Sequence, residues 1–141
     1  MDEQIKEYIS AQQADRRDIL SAIHSIILNR DKTVSPQVEP MMGKDIIVYK
    51  SSGLMKYGLA GLQNYMSLHV LPIYTFKPLY EKYQMLLPKA KFQKGCINFD
   101  KADKMPTAIV EQMITECSLI DLKKIRDEYL KERKLRQAKK Q

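Results

Sequence analysis

The chain has 141 residues, 44% hydrophobic and 29% charged, the balance of one soluble globular domain able to bury a core without staples. Two cysteines, Cys96 and Cys117, are too few for a disulfide framework or a zinc site, and no run approaches the ~18 apolar residues of a membrane span. The formal net charge is +7, but residues 122–141 carry +6 of it, so the body is nearly neutral and the basicity does not define a nucleic-acid-binding domain.

The opening Met1-Asp2-Glu3-Gln4 has no basic n-region or apolar h-region, so no signal peptide is expected and the cytoplasm is the default location. Residues 3–12 place Ile5, Tyr8 and Ile9 on one helical face, and residues 15–30 repeat Ile19, Leu20, Ile23, Ile26 and Ile27 at the same period. Residues 31–40, with two prolines and no sustained period, read as a loop. Ile46 to Tyr49 is a short β-branched strand. In residues 55–61, Met55, Tyr57 and Leu59 alternate with Lys56, Gly58 and Ala60. Past a turn at Gln63-Asn64, Met66, Leu68 and Val70 alternate with Tyr65, Ser67 and His69. This period across a tight turn predicts an antiparallel hairpin with one covered face.

Phe76, Leu79, Tyr80, Tyr83 and Leu86 return to helical spacing over residues 75–86. A Lys-rich connector leads to an apolar strand at 95–99, and Pro106 introduces a helix over 107–117. Ser118 and Asp121 form a capping-box-like pair, which predicts a restart rather than one long helix. Beyond it, Leu122, Ile125 and Tyr129 make a stripe that turns almost wholly polar after Leu130. Residues 1–117 thus read as the domain and 118–141 as a basic C-terminal helical extension.

None of the signatures of a nucleophile elbow, a Walker loop, a dinucleotide turn or an HExxH zinc site is present. His24 and His69 fall on different predicted elements, and no two histidines or cysteines share a predictable site, so no metal ligands are assigned and no tight transition-metal binding is expected. His24 reads as a structural histidine on a core helix. Cys96 reads as a buried, inert thiol, since reactivity needs exposure and a lowered pKa. If Met66, Leu68 and Val70 face the helices, Tyr65, Ser67 and His69 face away. Tyr57 and Tyr49 join them if the strand register allows, making a tyrosine-rich face suited to a small planar or polar ligand. Gly58 and Gly61 inside a strand signal a bulge or the close approach of another group. In the tail, Arg126, Lys131, Arg133, Lys134 and Arg136, with Lys139 and Lys140, are the candidates for phosphate contact, or else the solvated end of a helix.

Several strings, EPMMGKDIIVYK at 39–50, NYMSLHVLP at 64–72, the YEKY helix and KGCINF at 94–99, resemble the YdhG-like family of small bacterial proteins with no established general function. The resemblance covers about residues 3–117 and implies an α+β fold, a small antiparallel β-sheet with helices packed on one face. Where many members carry Tyr-Gly-Met-Pro, this chain has Pro40-Met41-Met42-Gly43. Some relatives are described as frataxin-like iron chaperones; here the carboxylates Glu3, Glu7, Asp15 and Asp18 are interleaved with Lys6, Arg16 and Arg17. The function expected is therefore a cytoplasmic, non-enzymatic binding or adaptor module without a cofactor, whose small ligand or protein partner sits on the tyrosine-rich sheet face. A weak sequence-independent nucleic-acid binder acting through the tail, and then the iron chaperone, are the alternatives.

Overall fold

Two tight turns organise the first half of the sheet in the computed structural model, which describes residues 2–139. Met42-Gly43 and Ser52-Gly53 all have positive φ, at 53°, 81°, 53° and 80°, the type I′ pattern whose twist suits a two-residue hairpin. They join β1 (Ser35–Met41), β2 (Lys44–Ser51) and β3 (Leu54–Gly61), and the Gln63-Asn64 turn leads to β4 (Met66–Val70). A 3₁₀ segment at Leu71–Thr75 and a helix then carry the chain to the hairpin of β5 (Lys91–Gln93) and β6 (Cys96–Phe99), where β6 pairs with β4. The result is a six-stranded antiparallel sheet in the order β1-β2-β3-β4-β6-β5.

The helices are α1 (Glu3–Ser10), α2 (Ala14–Arg30), α3 (Lys77–Leu86), α4 (Thr107–Ser118) and α5 (Leu122–Lys139). The predicted helices and the strands around 46–49, 55–61, 65–71 and 95–99 are all present, within a few residues at each end. The restart after Ser118 is present too, although its cap is Asp121, whose side chain accepts from the Lys124 N–H at 3.0 Å. Among the described residues no helix is long and apolar enough to cross a membrane.

The expectation of a loop over 31–40 is corrected: Ser35–Met41 is a strand. Proline cannot donate to a ladder, which is why this stretch reads as loop, but β1 lies at the edge of the sheet, where a missing N–H is tolerated. The Lys-rich connector likewise contains β5, at the opposite edge.

One face of the sheet holds the core. Ile47, Leu59, Leu68 and Ile97 form one cross-strand row and Tyr49, Tyr57 and Val70 another. Both rows pack with Ile5, Leu20, Ile23 and Ile27 of α1 and α2 and with Val110, Met113, Ile114 and Cys117 of α4. Arg16, itself buried, donates to the backbone carbonyls of Leu62 and Gln63 and ties α2 to the β3–β4 turn.

Between Tyr49 and Lys50 the pairing with β3 slips by one residue, leaving Lys56 without a partner. This bulge breaks the alternation expected for 55–61. Lys56 and Tyr57 both reach Asp31 on the helix side, and Met55 turns to the other face, beside Ile46, Val48 and Ala60.

Candidate functional site

The sheet surface away from the core is built from the other half of each strand's alternation. Across it run two rows, Gln37-Val48-Gly58-His69-Cys96-Gln93 and Ala60-Ser67-Asn98-Lys91. Among the described residues, its buried apolar patch, Ile46, Val48 and Ala60, draws none from a helix. The β2–β3 side of this face is therefore apolar and the β4–β6–β5 side polar.

On the polar side a concavity of ≈260 Å³ is lined by Ser67, His69, Cys96 and Asn98, with Met41 and Met42 at its rim. Ser67 Oγ donates to Asn98 Oδ1 at 2.8 Å, and Asn98 Nδ2 donates to Gln93 Oε1 at 3.0 Å. Cys96 Sγ lies 3.2 Å from His69 Nδ1, close enough for the thiol to donate to the imidazole. Burial pushes the Cys96 thiol above its ordinary pKa, against the opposing pull of Ser67, and pushes the His69 imidazole below its own. At neutral pH the pair is therefore thiol and neutral imidazole, not thiolate and imidazolium. A second concavity of ≈440 Å³ shares Tyr65, Gln93 and Asn98 with the first and opens among Lys89, Lys91 and Lys104. Asp100 pairs with Lys104 at 2.7 Å, which leaves this hollow cationic.

The predicted site residues divide cleanly. Tyr65, Ser67 and His69 are on the open face as expected. Tyr49 and Tyr57 are not: both are fully buried on the helix side. Opposite Val70 in the ladder, Tyr57 shares the core-facing side with it, and Tyr49 opposite Tyr57 follows. Their hydroxyls belong to a buried polar layer. Tyr49 Oη is 2.6 Å from His24 Nδ1, and Tyr57 donates to Asp31 Oδ2 at 2.7 Å. Lys56 Nζ bonds the same Asp31 oxygen at 2.8 Å, and Thr33 donates to the other oxygen through its N–H and hydroxyl. This layer satisfies its own groups internally and opens to no concavity described above.

The sequence reading set Cys96 aside as a buried, inert thiol, whereas it is half-buried in the concavity, and did not single out Asn98 or Gln93. A signal was there, because Cys96-Ile97-Asn98-Phe99 alternates and places Cys96 and Asn98 on one side. What it lacked was the β4–β6 register, Ser67 opposite Asn98 and His69 opposite Cys96, which makes that side the site. Gly58 and Gly61 do mark close approaches, to Met55 and His69 and to the Gln12 side chain respectively.

Arg126, Lys131, Arg133, Lys134 and Arg136 are all exposed on α5, as is Lys139; Lys140 lies outside the described residues. Arg126 pairs with Asp127 at 3.4 Å and Arg136 with Glu132 at 3.8 Å. The stripe of Leu122, Ile125 and Tyr129 borders an apolar groove with Leu54, Met55 and Leu71, so only the first turns of α5 touch the body. Among the described residues, no group of three or more His, Cys, Asp or Glu side chains gathers to hold a metal ion.

No protein-family model, no curated protein and no solved structure matches this chain.

Proposed function

We propose that the chain is a YdhG-like, non-enzymatic binding module that holds a small, polar, anionic molecule on its open sheet face. The observation that carries this reading is the continuity of the Ser67-His69-Asn98 floor with the cationic hollow of Lys89, Lys91 and Lys104. A rigid sheet presents the hydroxyl, imidazole and amide groups that orient a polar ligand, and the lysines supply charge for a carboxylate or phosphate. The neutral state of Cys96 and His69 favours binding over nucleophilic catalysis, since among the described residues no carboxylate lines the inner concavity to orient or charge the imidazole. Two free cysteines suit a reducing compartment, and we place the protein in the cytoplasm.

Native mass spectrometry of the purified protein tests the reading, with a retained anionic adduct as the expected result. Lys89→Ala/Lys91→Ala and His69→Ala should each strip the adduct without lowering the melting temperature. A preparation with no adduct, and no thermal response to carboxylate or phosphate compounds at millimolar concentration, would sink it.

Nucleic-acid binding through the tail is the second reading, favoured by the exposure of every residue from Lys123 to Lys139. Its mark would be an affinity that falls steeply with salt and does not depend on base sequence.

A further inference from the structure

We propose that the anion held on the open sheet face is a nucleoside monophosphate, its phosphate among the lysines and its base in the inner concavity. This deepens the anionic-ligand reading and rests on it. The two hollows meet at Tyr65, Gln93 and Asn98, and so form one cleft with unlike ends. Ser67 on β4 pairs with Asn98 on β6, and Asn98 with Lys91 on β5. Two interstrand steps of roughly 4.8 Å separate Ser67 from Lys91, so a ligand that touches both ends is about 10 Å long. An inorganic anion or a small carboxylic acid is too short for that. A base, its ribose and a 5′-phosphate reach.

Charge selects the anionic end. Lys104 is paired with Asp100, whereas Lys89 and Lys91 have no carboxylate partner among the described residues. Two uncompensated ammonium groups match a phosphate monoester, whose charge near neutral pH is about −1.5 to −2, better than a singly charged carboxylate or phosphodiester. Hydrogen-bond polarity selects the other end. Ser67 Oγ donates to Asn98 Oδ1 and Asn98 Nδ2 to Gln93 Oε1, so each link uses up an acceptor and leaves the Gln93 amide N–H groups to give. His69 Nδ1 accepts from Cys96 Sγ at 3.2 Å, which puts the proton of the neutral ring on Nε2. The floor therefore offers donors, suited to the ring nitrogens and carbonyls of a base. The rest of the lining is apolar, Met41, Ile46, Ala60 and Leu62, with the exposed ring of Tyr65 at the junction of the two hollows. Met42 stands at this rim at φ 53° and 97% exposed, a thioether with almost nothing of the protein to pack on. A bound base gives it a flat, polarizable surface to cover.

The test is isothermal titration calorimetry of the full-length chain with adenosine, guanosine, cytidine and uridine 5′-monophosphates, ribose 5-phosphate and inorganic phosphate. Stacking of a base on an aromatic ring is worth about tenfold or more in affinity, so at least one nucleotide should bind about tenfold more tightly than ribose 5-phosphate. Lys89→Ala/Lys91→Ala should weaken nucleotide and ribose 5-phosphate together. Tyr65→Leu should bring the nucleotide down to the level of ribose 5-phosphate and leave the latter unchanged. Met42→Asn should weaken the nucleotide several-fold without lowering the melting temperature, so that its loss cannot come from unfolding. Equal binding of nucleotides and ribose 5-phosphate would overturn the inference and leave the anionic-ligand reading standing. So would silence from every probe in a protein that retains some other anionic adduct. Silence with no adduct would remove both. A short oligouridylate that binds more tightly than uridine 5′-monophosphate would assign the cleft to RNA and overturn the inference as well.

Discussion

Asp31 is fully buried beside an equally buried Lys56, and its two oxygens accept from Lys56, Tyr57 and Thr33. Burial by itself would raise its pKa, but these hydrogen bonds together outweigh that and hold the carboxyl below the ordinary range. Removing one partner of a buried pair strands the other charge, so Asp31→Asn should cost ~3–5 kcal/mol in urea denaturation. The double variant Asp31→Leu/Lys56→Met should cost less than that single change, because neither charge is then left alone. Equal losses would show that the packing, not the pairing, matters. A depressed folded-state pKa gives stability that is complete above the unfolded value of ~3.9 and lost as pH falls through the folded one. Asp31→Asn should accordingly flatten the acid limb of the stability curve. His24, buried against Tyr49, has its pKa lowered by burial. Its contribution is complete above the unfolded value of ~6.5 and declines as pH falls below it. Tyr49→Phe, which leaves His24 Nδ1 without its hydroxyl partner, should cost about 1–3 kcal/mol.

Among the elements, the β1–β2 hairpin carries a visible conflict. Its turn puts Met42 at φ 53° with its side chain 97% exposed, so an L-residue occupies the left-handed region with no packing to offset it. Asparagine suits that position of an I′ turn, and Asn-Gly is the preferred pair. Met42→Asn should therefore raise the urea midpoint by an amount equivalent to up to about 1 kcal/mol with m unchanged. An unchanged or lowered midpoint would mean that Met42 makes contacts at the rim of the concavity that outweigh its strain. The bulge in β3 does the opposite kind of work. By absorbing Lys56 it sends two successive side chains toward Asp31 and frees Met55 for the open face.

For the molecule as a whole, the body and the far end of α5 contribute very unequally to stability. Every side chain from Lys131 to Lys139 is exposed, and Leu135, at 57%, buries little. Truncation after Leu130 removes Lys131, Arg133, Lys134, Arg136, Lys139 and Lys140 against Glu132, a loss of five net positive charges. Folding stability should change by no more than about 0.5 kcal/mol, as for surface changes in general. Any nucleic-acid affinity should fall together with its salt dependence. A drop of several degrees in melting temperature, or a change in oligomeric state on size-exclusion chromatography, would instead show that α5 packs against a second copy.

Local pattern determined most of the elements. Helical spacing marked α1 to α4, and the alternation of Met66, Leu68 and Val70 against Tyr65, Ser67 and His69 assigned the two faces of β4 correctly. Both patterns reflect which side chains must leave water, and that can be read from order alone. The sequence also marked the break before α5, because capping is a matter of a few adjacent residues. Three features were decided only by the tertiary structure. Pro36 and Pro40 are compatible with a strand because β1 is an edge, and edge position is a property of the assembled sheet. Tyr49 and Tyr57 turn inward because they pair with each other and Tyr57 with Val70, in step with Ile47 and Leu59, and that pairing register is a property of the assembled sheet. Cys96 meets His69 across the β4–β6 pair after a separation of 27 residues, and neither strand's own pattern specifies that partner. The site is a product of register, and register is settled by the packing of the whole sheet against its helices.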